Sequence, residues 1–181
     1  MTLVRTGELI TAKWDEIDLE EKIWHVPKGR MKAKRPHYVP LSNQVLTLIE
    51  LLRGFTGHRE YLLAGIRSPR KPMSNMTILR MIERAGYKGK QTGHGFRTLG
   101  STALNESGEF NPYAIERQLS HEDRDHVRAA YNRAEYMVER RQMMQWWGDH
   151  VENVIRDNFL CGLQEFLPQD PRKRIIKPEV P

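Results

Sequence analysis

Only one cysteine, Cys161, occurs in the 181 residues of this chain. A single thiol excludes an intrachain disulfide framework and is typical of proteins in a reducing cytosol. The sequence also lacks a signal peptide and any apolar run near the roughly 18 residues that a membrane-spanning helix needs. We therefore expect a cytoplasmic location and no membrane partner.

Sequence motifs for common cofactors are missing as well. Neither a P-loop nor a GxGxxG pattern is present, so no nucleotide cofactor is implied. The metal-binding spacings HExxH and CxxC are also absent. We therefore predict a protein that works without a bound cofactor.

Basic residues exceed acidic ones, 29 to 23, which gives a formal net charge of +6 at pH 7. This excess makes a polyanion a reasonable partner. Because many basic proteins bind no nucleic acid, the charge alone does not decide the function.

The pattern of apolar residues predicts an α+β fold that is mostly α-helical, with a small three-stranded antiparallel sheet near the N-terminus. EIDL, IWHV and HYVPL are short alternating runs separated by acidic or glycine-containing turns, as in a meander. The basic hairpin KGRMKAKRP joins the second and third strands. The opening segment, MTLVRTGELITAKW, reads as a helix with no capping residue before it, so we expect the natural protein to continue upstream.

Capping residues and apolar spacing predict five further helices. Glycine stops are expected at Gly54 for the first of them and at Gly86 for the second. The prolines and charges beyond Asn158 indicate an extended tail. We accordingly assign residues 1–157 to one domain and residues 158–181 to a C-terminal extension. The expected helix starts, in chain order, are Ser42, Ser74, His94, Asn111 and Tyr136.

Two arginines are candidates for binding an anion. His94 and Arg97 in HGFR are three residues apart, which places both on one face of a helix. A guanidinium repels a metal cation but offers a planar fork to an oxyanion or a phosphate. Arg5 in RTGEL could add a second guanidinium, oriented by Glu8. The alternative is a solvated surface on which Arg5 and Glu8 form an ordinary helical ion pair.

The basic hairpin carries Lys32 and Lys34. Most of its charges are expected to be solvated, yet a hairpin can carry one lysine into an active site. An ammonium group there can protonate a leaving oxygen. His37, at the start of the third strand, is expected to be structural.

The segment HEDRDH concentrates three acids between His121 and His126. A magnesium or zinc site would need convergent carboxylates or histidines with few cations nearby. Here Arg117, Arg124 and Arg128 are interspersed with the acids. We therefore predict that the acids begin a helix, where their charge complements the helix dipole.

Tyr131 and Tyr136 lie five residues apart in a polar, basic stretch. A phenol is a latent nucleophile that needs positive surroundings to ionise. Its attack on a phosphodiester builds negative charge, which fixed guanidiniums stabilise more strongly in the transition state than in the ground state. Five residues correspond to about 140° on one helix, so the two tyrosines face different directions. We predict Tyr131, which follows small residues, as the nucleophile and Tyr136 as a packing residue.

In this order, RTGEL, RMKAKRPHYVPLS, TGHGFR, IERQLSH and RAAYN resemble the catalytic domain of tyrosine recombinases, the phage integrase family. The likeness is strongest to the P4-like integrases of prophages and genomic islands, and it runs from about Leu3 to Asp149. It implies the DNA breaking-rejoining fold of that family. The site residues that it implies are Arg5, Lys32, His94, Arg97, His121 and the nucleophile Tyr131.

The resemblance also implies a function, which is site-specific integration or excision of a phage or genomic island. In the family, the tyrosine cuts one DNA strand to give a 3′-phosphotyrosyl link and a free 5′ hydroxyl, without metal or ATP. The implied partners are double-stranded DNA attachment sites, further protomers in a tetramer, and DNA-bending accessory proteins. The implied location is the bacterial cytoplasm at the nucleoid. The family's N-terminal DNA-binding modules are not in this sequence, so we expect an excised domain.

Two other functions stay open from the residues alone. A non-catalytic DNA-binding module could use the same arginines for phosphate contacts. A metal-dependent nuclease could use the HEDRDH acids. Neither explains why Lys32, His94, Arg97, His121 and Tyr131 occur together.

Overall fold

The structure is a computed structural model that describes residues 1–31, 34–121 and 135–166, with side chains described up to residue 158. Within these ranges the chain forms six α-helices and one antiparallel sheet. The helices are α1 Thr6–Ile10, α2 Asn43–Thr56, α3 Asn75–Ile82, α4 Gly93–Ser107, α5 Pro112–Gln118 and α6 Met137–Phe166. The strands are β1 Ile17–Asp18, β2 Ile23–Val26 and β3 His37–Pro40. No helix in the described ranges is both long and apolar enough to cross a membrane.

The sheet has the predicted order, β1-β2-β3, with both strand pairs antiparallel. Trp24 and Val26 point into the core from β2, whereas His25 between them is exposed. Trp24 lies opposite Val39 of β3, which is also buried. One face of α2 covers this side of the sheet through Val45 and Ile49. The predicted mostly helical α+β fold with a small N-terminal sheet is therefore confirmed.

A second core lies between α4, α5 and α6. Its buried members are Leu3, Leu104, Ile115, Leu119, Met143, Met144 and Trp147. Close packing here depends on Gly100, because a Cβ at this position would lie 2.4 Å from Leu3 Cδ2 and 3.1 Å from Trp147 Cζ2. The absence of a side chain at Gly100 lets α4 lie against both the N-terminal segment and α6.

The first helix is shorter than predicted. The sequence predicted a helix over the whole of MTLVRTGELITAKW, but α1 covers only Thr6–Ile10. Leu3 has a left-handed φ of 57°, and its carbonyl accepts a hydrogen bond from Arg97 at 2.7 Å. Residues before Arg5 therefore make long-range contacts instead of continuing the helix.

Helix α2 is longer than predicted, because it passes through Gly54 and ends at Thr56, with Gly57 as its cap. A glycine inside a helix costs only about 1 kcal/mol, which tertiary contacts offset here. One such contact is the hydrogen bond from Thr56 Oγ1 to the carbonyl of Leu62 at 2.7 Å.

Most of the predicted helix starts are confirmed. Ser42 and Asn111 cap α2 and α5 with their side chains. At the other end of the chain, α6 continues to Phe166, past the predicted domain boundary at residue 157. The division at that boundary stays a prediction, and residues 167–181 and the HEDRDH acids at 122–125 lie outside the described residues.

Candidate active site

Helix α5 ends in a Schellman motif, a common way to close a helix. The amide of His121 donates to the carbonyl of Glu116, and the amide of Ser120 donates to that of Arg117, each at 3.1 Å. Ser120 occupies the left-handed position with φ 48°, where glycine is the usual residue. The motif gives hydrogen-bond donors to the carbonyls of residues 116 and 117. The carbonyls of residues 118–121 take their donors from outside the helix.

We call residues 118–121 the carbonyl turn, because each of their four carbonyls accepts a hydrogen bond from a basic side chain. Carbonyls at a helix C-terminus carry partial negative charge, so they attract positively charged groups. These groups come from three segments of the chain, because Arg35 and His37 are only two residues apart. The pairs are His37 Nε2 with Gln118 O at 3.1 Å, Arg97 Nη2 with Leu119 O, Arg5 Nη2 with Ser120 O at 3.2 Å, and Arg35 Nη2 with His121 O at 3.3 Å.

Arg5, the first predicted arginine, is the N-cap residue of α1. Its backbone nitrogen and its Nη1 each lie 2.9 Å from a carboxylate oxygen of Glu8. Glu8 is 5% exposed, whereas the Arg5 side chain is 31% exposed. The ion pair exists, but the burial of Glu8 and the bond to Ser120 distinguish it from a loose surface pair. The Arg5 guanidinium keeps further N–H groups for a ligand.

Arg97 of α4 is more deeply buried, at 5% exposure. Its Nη1 donates to the carbonyl of Leu3 at 2.7 Å, and its Nη2 donates to that of Leu119. Burial, and after it the positive charge of Arg5, lower the pKa of Arg97 to about 10. That value is above neutral pH, so the guanidinium stays charged. The two arginines are close enough to repel each other, and an anion between them would relieve that repulsion.

The start of α4 lies close to α1. A Cβ on Gly93 would lie 2.8 Å from Thr6 Oγ1, so a larger residue there would force the Thr6 side chain to move. Thr92 caps α4 by accepting the amide of Gly95 at 3.0 Å. His94 follows in the first turn of α4, with an exposed side chain, one helical turn before Arg97.

His121 lies directly after the Schellman motif. Its Nδ1 is 2.7 Å from Glu116 Oε2, and its ring is 43% exposed. Because a carboxylate accepts hydrogen bonds, Nδ1 carries a proton, which leaves Nε2 as the acceptor nitrogen of the neutral ring. Glu116 therefore fixes the tautomer of His121.

His37 has the structural role that the sequence predicted. It is 5% exposed and bonds the carbonyl of Gln118. Burial, followed by the positive charge of Arg140, lowers the pKa of His37 to about 3. The ring is therefore neutral at pH 7.

Two predicted site residues, Lys32 and Tyr131, lie outside the described residues. The residues that flank them are described. Arg30, two positions before Lys32, donates from Nη1 to Thr11 Oγ1 at 2.8 Å and pairs with Glu16. Glu135, which follows the segment 122–134, accepts a hydrogen bond from Arg117 Nε at 3.1 Å.

The structure thus gathers Arg5, Arg97 and the backbone of His121 at the carbonyl turn. Sequence reasoning did not single out Arg35 or Gln118, because their roles depend on contacts with distant segments. The only sequence signal was their place within RMKAKRPHYVPLS and IERQLSH. Among the described residues, no group of three histidine, cysteine or acidic side chains could hold a metal ion.

A cavity of about 540 Å³ lies beside Arg97, with Phe96, Leu99, Trp147 and Val151 among its lining residues. Apolar walls of this kind offer few donors to a phosphate. The candidate active site is therefore the basic cluster at the carbonyl turn.

Comparisons with known proteins agree with this geometry. The sequence model of the phage integrase family matches residues 1–137. Prophage integrase IntA of Escherichia coli K12 is 43% identical over 152 residues, which cover 84% of this chain and 37% of the relative. The integrase of Enterobacteria phage P4 is 42% identical over 167 residues, which cover 84% and 38%. The chain thus spans less than half the length of these relatives.

Two solved structures share the fold at low sequence identity. The crystal structure of XerA recombinase aligns with a TM-score of 0.58 and 23% identity, over 76% of this chain and 51% of that one. The Tn1549 transposon integrase, solved in complex with circular intermediate DNA, aligns with a TM-score of 0.53 and 18% identity, over 78% and 53%. The chain therefore belongs to the phage integrase family and has the fold of a tyrosine recombinase catalytic domain.

Proposed function

We propose that this chain is the catalytic domain of a site-specific DNA recombinase that cuts and rejoins strands through a 3′-phosphotyrosyl intermediate. The observation that carries the proposal is the anchoring of Arg5 and Arg97 on adjacent carbonyls. Two guanidiniums held side by side would form a receptor for the non-bridging oxygens of one phosphodiester, because each has five N–H donors. Family membership supplies the reaction class.

In the proposed reaction, the phenol of Tyr131 gives up its proton to a nearby histidine or to water, and its oxygen attacks the scissile phosphorus. The P–O bond to the 5′ oxygen breaks, and that oxygen takes a proton from Lys32 or from a histidine. Arg5 and Arg97 stabilise the charge that develops on the phosphoryl oxygens, as His94 and His121 do by hydrogen bonding. The 5′ hydroxyl of a second strand then attacks the phosphotyrosyl bond and releases Tyr131. The number of phosphoester bonds is conserved, so no ATP is needed.

The proposed partner is double-stranded attachment-site DNA. One supporting feature is a group of exposed basic residues between residues 67 and 90, near α3 and the turns on either side of it. Phosphate contacts from such residues would supply salt-dependent affinity. Further integrase protomers, assembled as a tetramer, and DNA-bending accessory proteins are proposed with it, at the bacterial nucleoid. The residues of this group are Arg67, Arg70, Lys71, Arg80, Arg84, Lys88 and Lys90.

The test is to trap the covalent intermediate. An integrase that carries this domain and its DNA-binding modules is incubated with attachment-site DNA nicked beside the scissile phosphate. The short cleaved fragment diffuses away, so an adduct resistant to SDS accumulates. Tyr131→Phe should abolish the adduct, and the matched variant Tyr136→Phe should retain it. An adduct that persists in Tyr131→Phe would show that the nucleophile is wrongly assigned.

The same experiment separates the two alternative functions. A non-catalytic DNA-binding module would bind the DNA in a salt-sensitive way and form no adduct under any condition. A metal-dependent nuclease would cut the DNA without an adduct, and EDTA would stop it. Formation of the adduct in the presence of EDTA excludes both.

A further inference from the structure

A buried polar pair lies behind the carbonyl turn. Gln118 and Arg140 are both 0% exposed. Burying an amide and a guanidinium is costly unless their polar atoms are hydrogen-bonded. Arg140 donates to Gln118 Oε1 from Nε at 3.0 Å and from Nη2 at 2.8 Å. The pair is thus a bidentate contact between α6 and the end of α5.

The other end of the Gln118 amide reaches the N-terminal segment. Gln118 Nε2 donates to the carbonyl of Thr2 at 3.1 Å. The next carbonyl along the chain, that of Leu3, accepts Arg97 Nη1, and the segment continues directly to Arg5. The Gln118 side chain therefore holds the segment whose Leu3 carbonyl binds Arg97 and which leads directly to Arg5.

The backbone of Gln118 leads into the other two carbonyls that bind these arginines. Gln118 begins the carbonyl turn, in which the Leu119 carbonyl binds Arg97 and the Ser120 carbonyl binds Arg5. Gln118 is thus connected to the Leu3 and Leu119 carbonyls, which bind Arg97. It is also connected to the Ser120 carbonyl, which binds Arg5. Arg140 holds Gln118 in place from α6.

We propose that Gln118, held by Arg140, is a positioning residue that aims Arg5 and Arg97 at the scissile phosphate. The inference rests on the proposed function. Gln118 touches no reacting atom itself. Its effect on the rate comes from the position of the two guanidiniums, and a displacement of about 1 Å at such a site costs up to about 100-fold.

A test must separate positioning from simple support of the core. The negative charge on the scissile phosphate provides the means. In a methylphosphonate, one non-bridging oxygen is replaced by a methyl group, so the linkage is neutral and gains less from the guanidiniums. Misplaced arginines therefore slow cleavage of the phosphodiester more than cleavage of the methylphosphonate.

The informative variant is Gln118→Glu, which keeps an acceptor for Arg140 but replaces the donor to the Thr2 carbonyl with an oxygen. Gln142→Glu makes the same chemical change at an exposed position of α6 and serves as the matched control. Single-turnover adduct formation is measured on both DNA substrates with each enzyme. Any unfolded fraction lowers both rates alike and leaves their ratio unchanged. Arg140→Lys, which loses the bidentate contact without adding a negative charge, is measured beside Gln118→Glu and takes its place should that variant yield no folded protein.

We expect Gln118→Glu to slow cleavage of the phosphodiester by about 10- to 100-fold and that of the methylphosphonate by about threefold or less. Gln142→Glu should leave both rates unchanged. An equal loss on both substrates, or no loss on the phosphodiester, overturns the positioning role while the proposed function stands. If the wild-type enzyme forms no adduct at all, the proposed function fails and the inference fails with it.

Discussion

The Nη2 atom of Arg5 lies 3.2 Å from the carbonyl oxygen of Ser120, 115 residues further along the chain. Arg97 bonds the preceding carbonyl, that of Leu119. The separation of the two guanidiniums is therefore set by one peptide unit and not by two flexible side chains. In the proposed reaction, such preorganisation would leave little reorganisation to be made when charge develops on a phosphate between them.

Glu8→Gln should weaken this arrangement. The carboxylate of Glu8 is buried and receives both the backbone nitrogen and Nη1 of Arg5. The amide keeps one acceptor but loses the charge, so Arg5 is held less firmly. We expect single-turnover cleavage to fall by about 10- to 100-fold, the range typical of lost orienting partners.

The control for Glu8 is Glu50→Gln in α2. Glu50 also pairs with an arginine three residues away, Arg53, but at 3.5 Å and with more than half of its side chain exposed. Exposed pairs of this kind contribute little, so cleavage should be unchanged. Equal rates for Glu8→Gln and the wild type would show that the capping carboxylate does not orient Arg5.

Ser120→Gly should stabilise the protein without loss of cleavage. Ser120 has φ 48°, a conformation that costs a non-glycine residue about 1 kcal/mol, and only its backbone binds Arg5. Glycine removes that cost, and its greater freedom when unfolded offsets part of the gain. A net gain of several tenths of a kcal/mol should be visible as a higher denaturation midpoint.

Ser101→Gly is the opposing control, since it places the same substitution within α4. A glycine there should lower the free energy of unfolding by about 0.5 kcal/mol or more. If both variants are destabilised alike, the left-handed conformation of Ser120 is not under strain.

The elements that the sequence predicted correctly have local signals. Asn111 and Pro112 mark the start of α5 because an N-cap side chain and a proline at the first turn act within a few residues. The strands of the meander likewise follow from short alternating runs and their turns. The sequence singled out Arg5 and Arg97 because guanidiniums suit an anion, whatever holds them, and their role at a phosphate stays a prediction.

The errors and omissions all involve distant contacts. The first helix was predicted too long because Leu3 gives its carbonyl to Arg97, 94 residues away. Gln118 and Arg140 look like ordinary polar helix residues until α5 and α6 pack together and bury both. Neither periodicity nor capping rules contain that information.

Acid should destabilise the fold through His37. Its pKa is lowered from 6.5 to about 3 by burial and by Arg140. Between these values the unfolded chain binds a proton that the folded chain does not. The free energy of unfolding is therefore not reduced by His37 above pH 6.5. It falls as the pH drops toward 3, by up to about 1.4 kcal/mol per pH unit. Denaturant unfolding at several pH values measures this slope.

His37→Gln should flatten that part of the profile, because glutamine can donate to the carbonyl of Gln118 but does not titrate. His25→Gln on the neighbouring strand is the matched control, since His25 is exposed. Its variant should keep the wild-type slope. A wild-type slope in His37→Gln would mean that other groups cause the acid sensitivity.

Lys32→Met should slow cleavage of ordinary DNA strongly, but not cleavage of DNA with sulfur in place of the bridging 5′ oxygen. A thiol has a pKa of about 8.5, so a thiolate leaves without receiving a proton in the transition state. Single-turnover adduct formation gives the ratio of the two rates. Lys34→Met should match the wild type on both substrates. Suppose that Lys32→Met slows cleavage of both DNA substrates equally, while the sulfur substrate restores the rate of His121→Gln. The histidine, and not the lysine, then protonates the leaving oxygen.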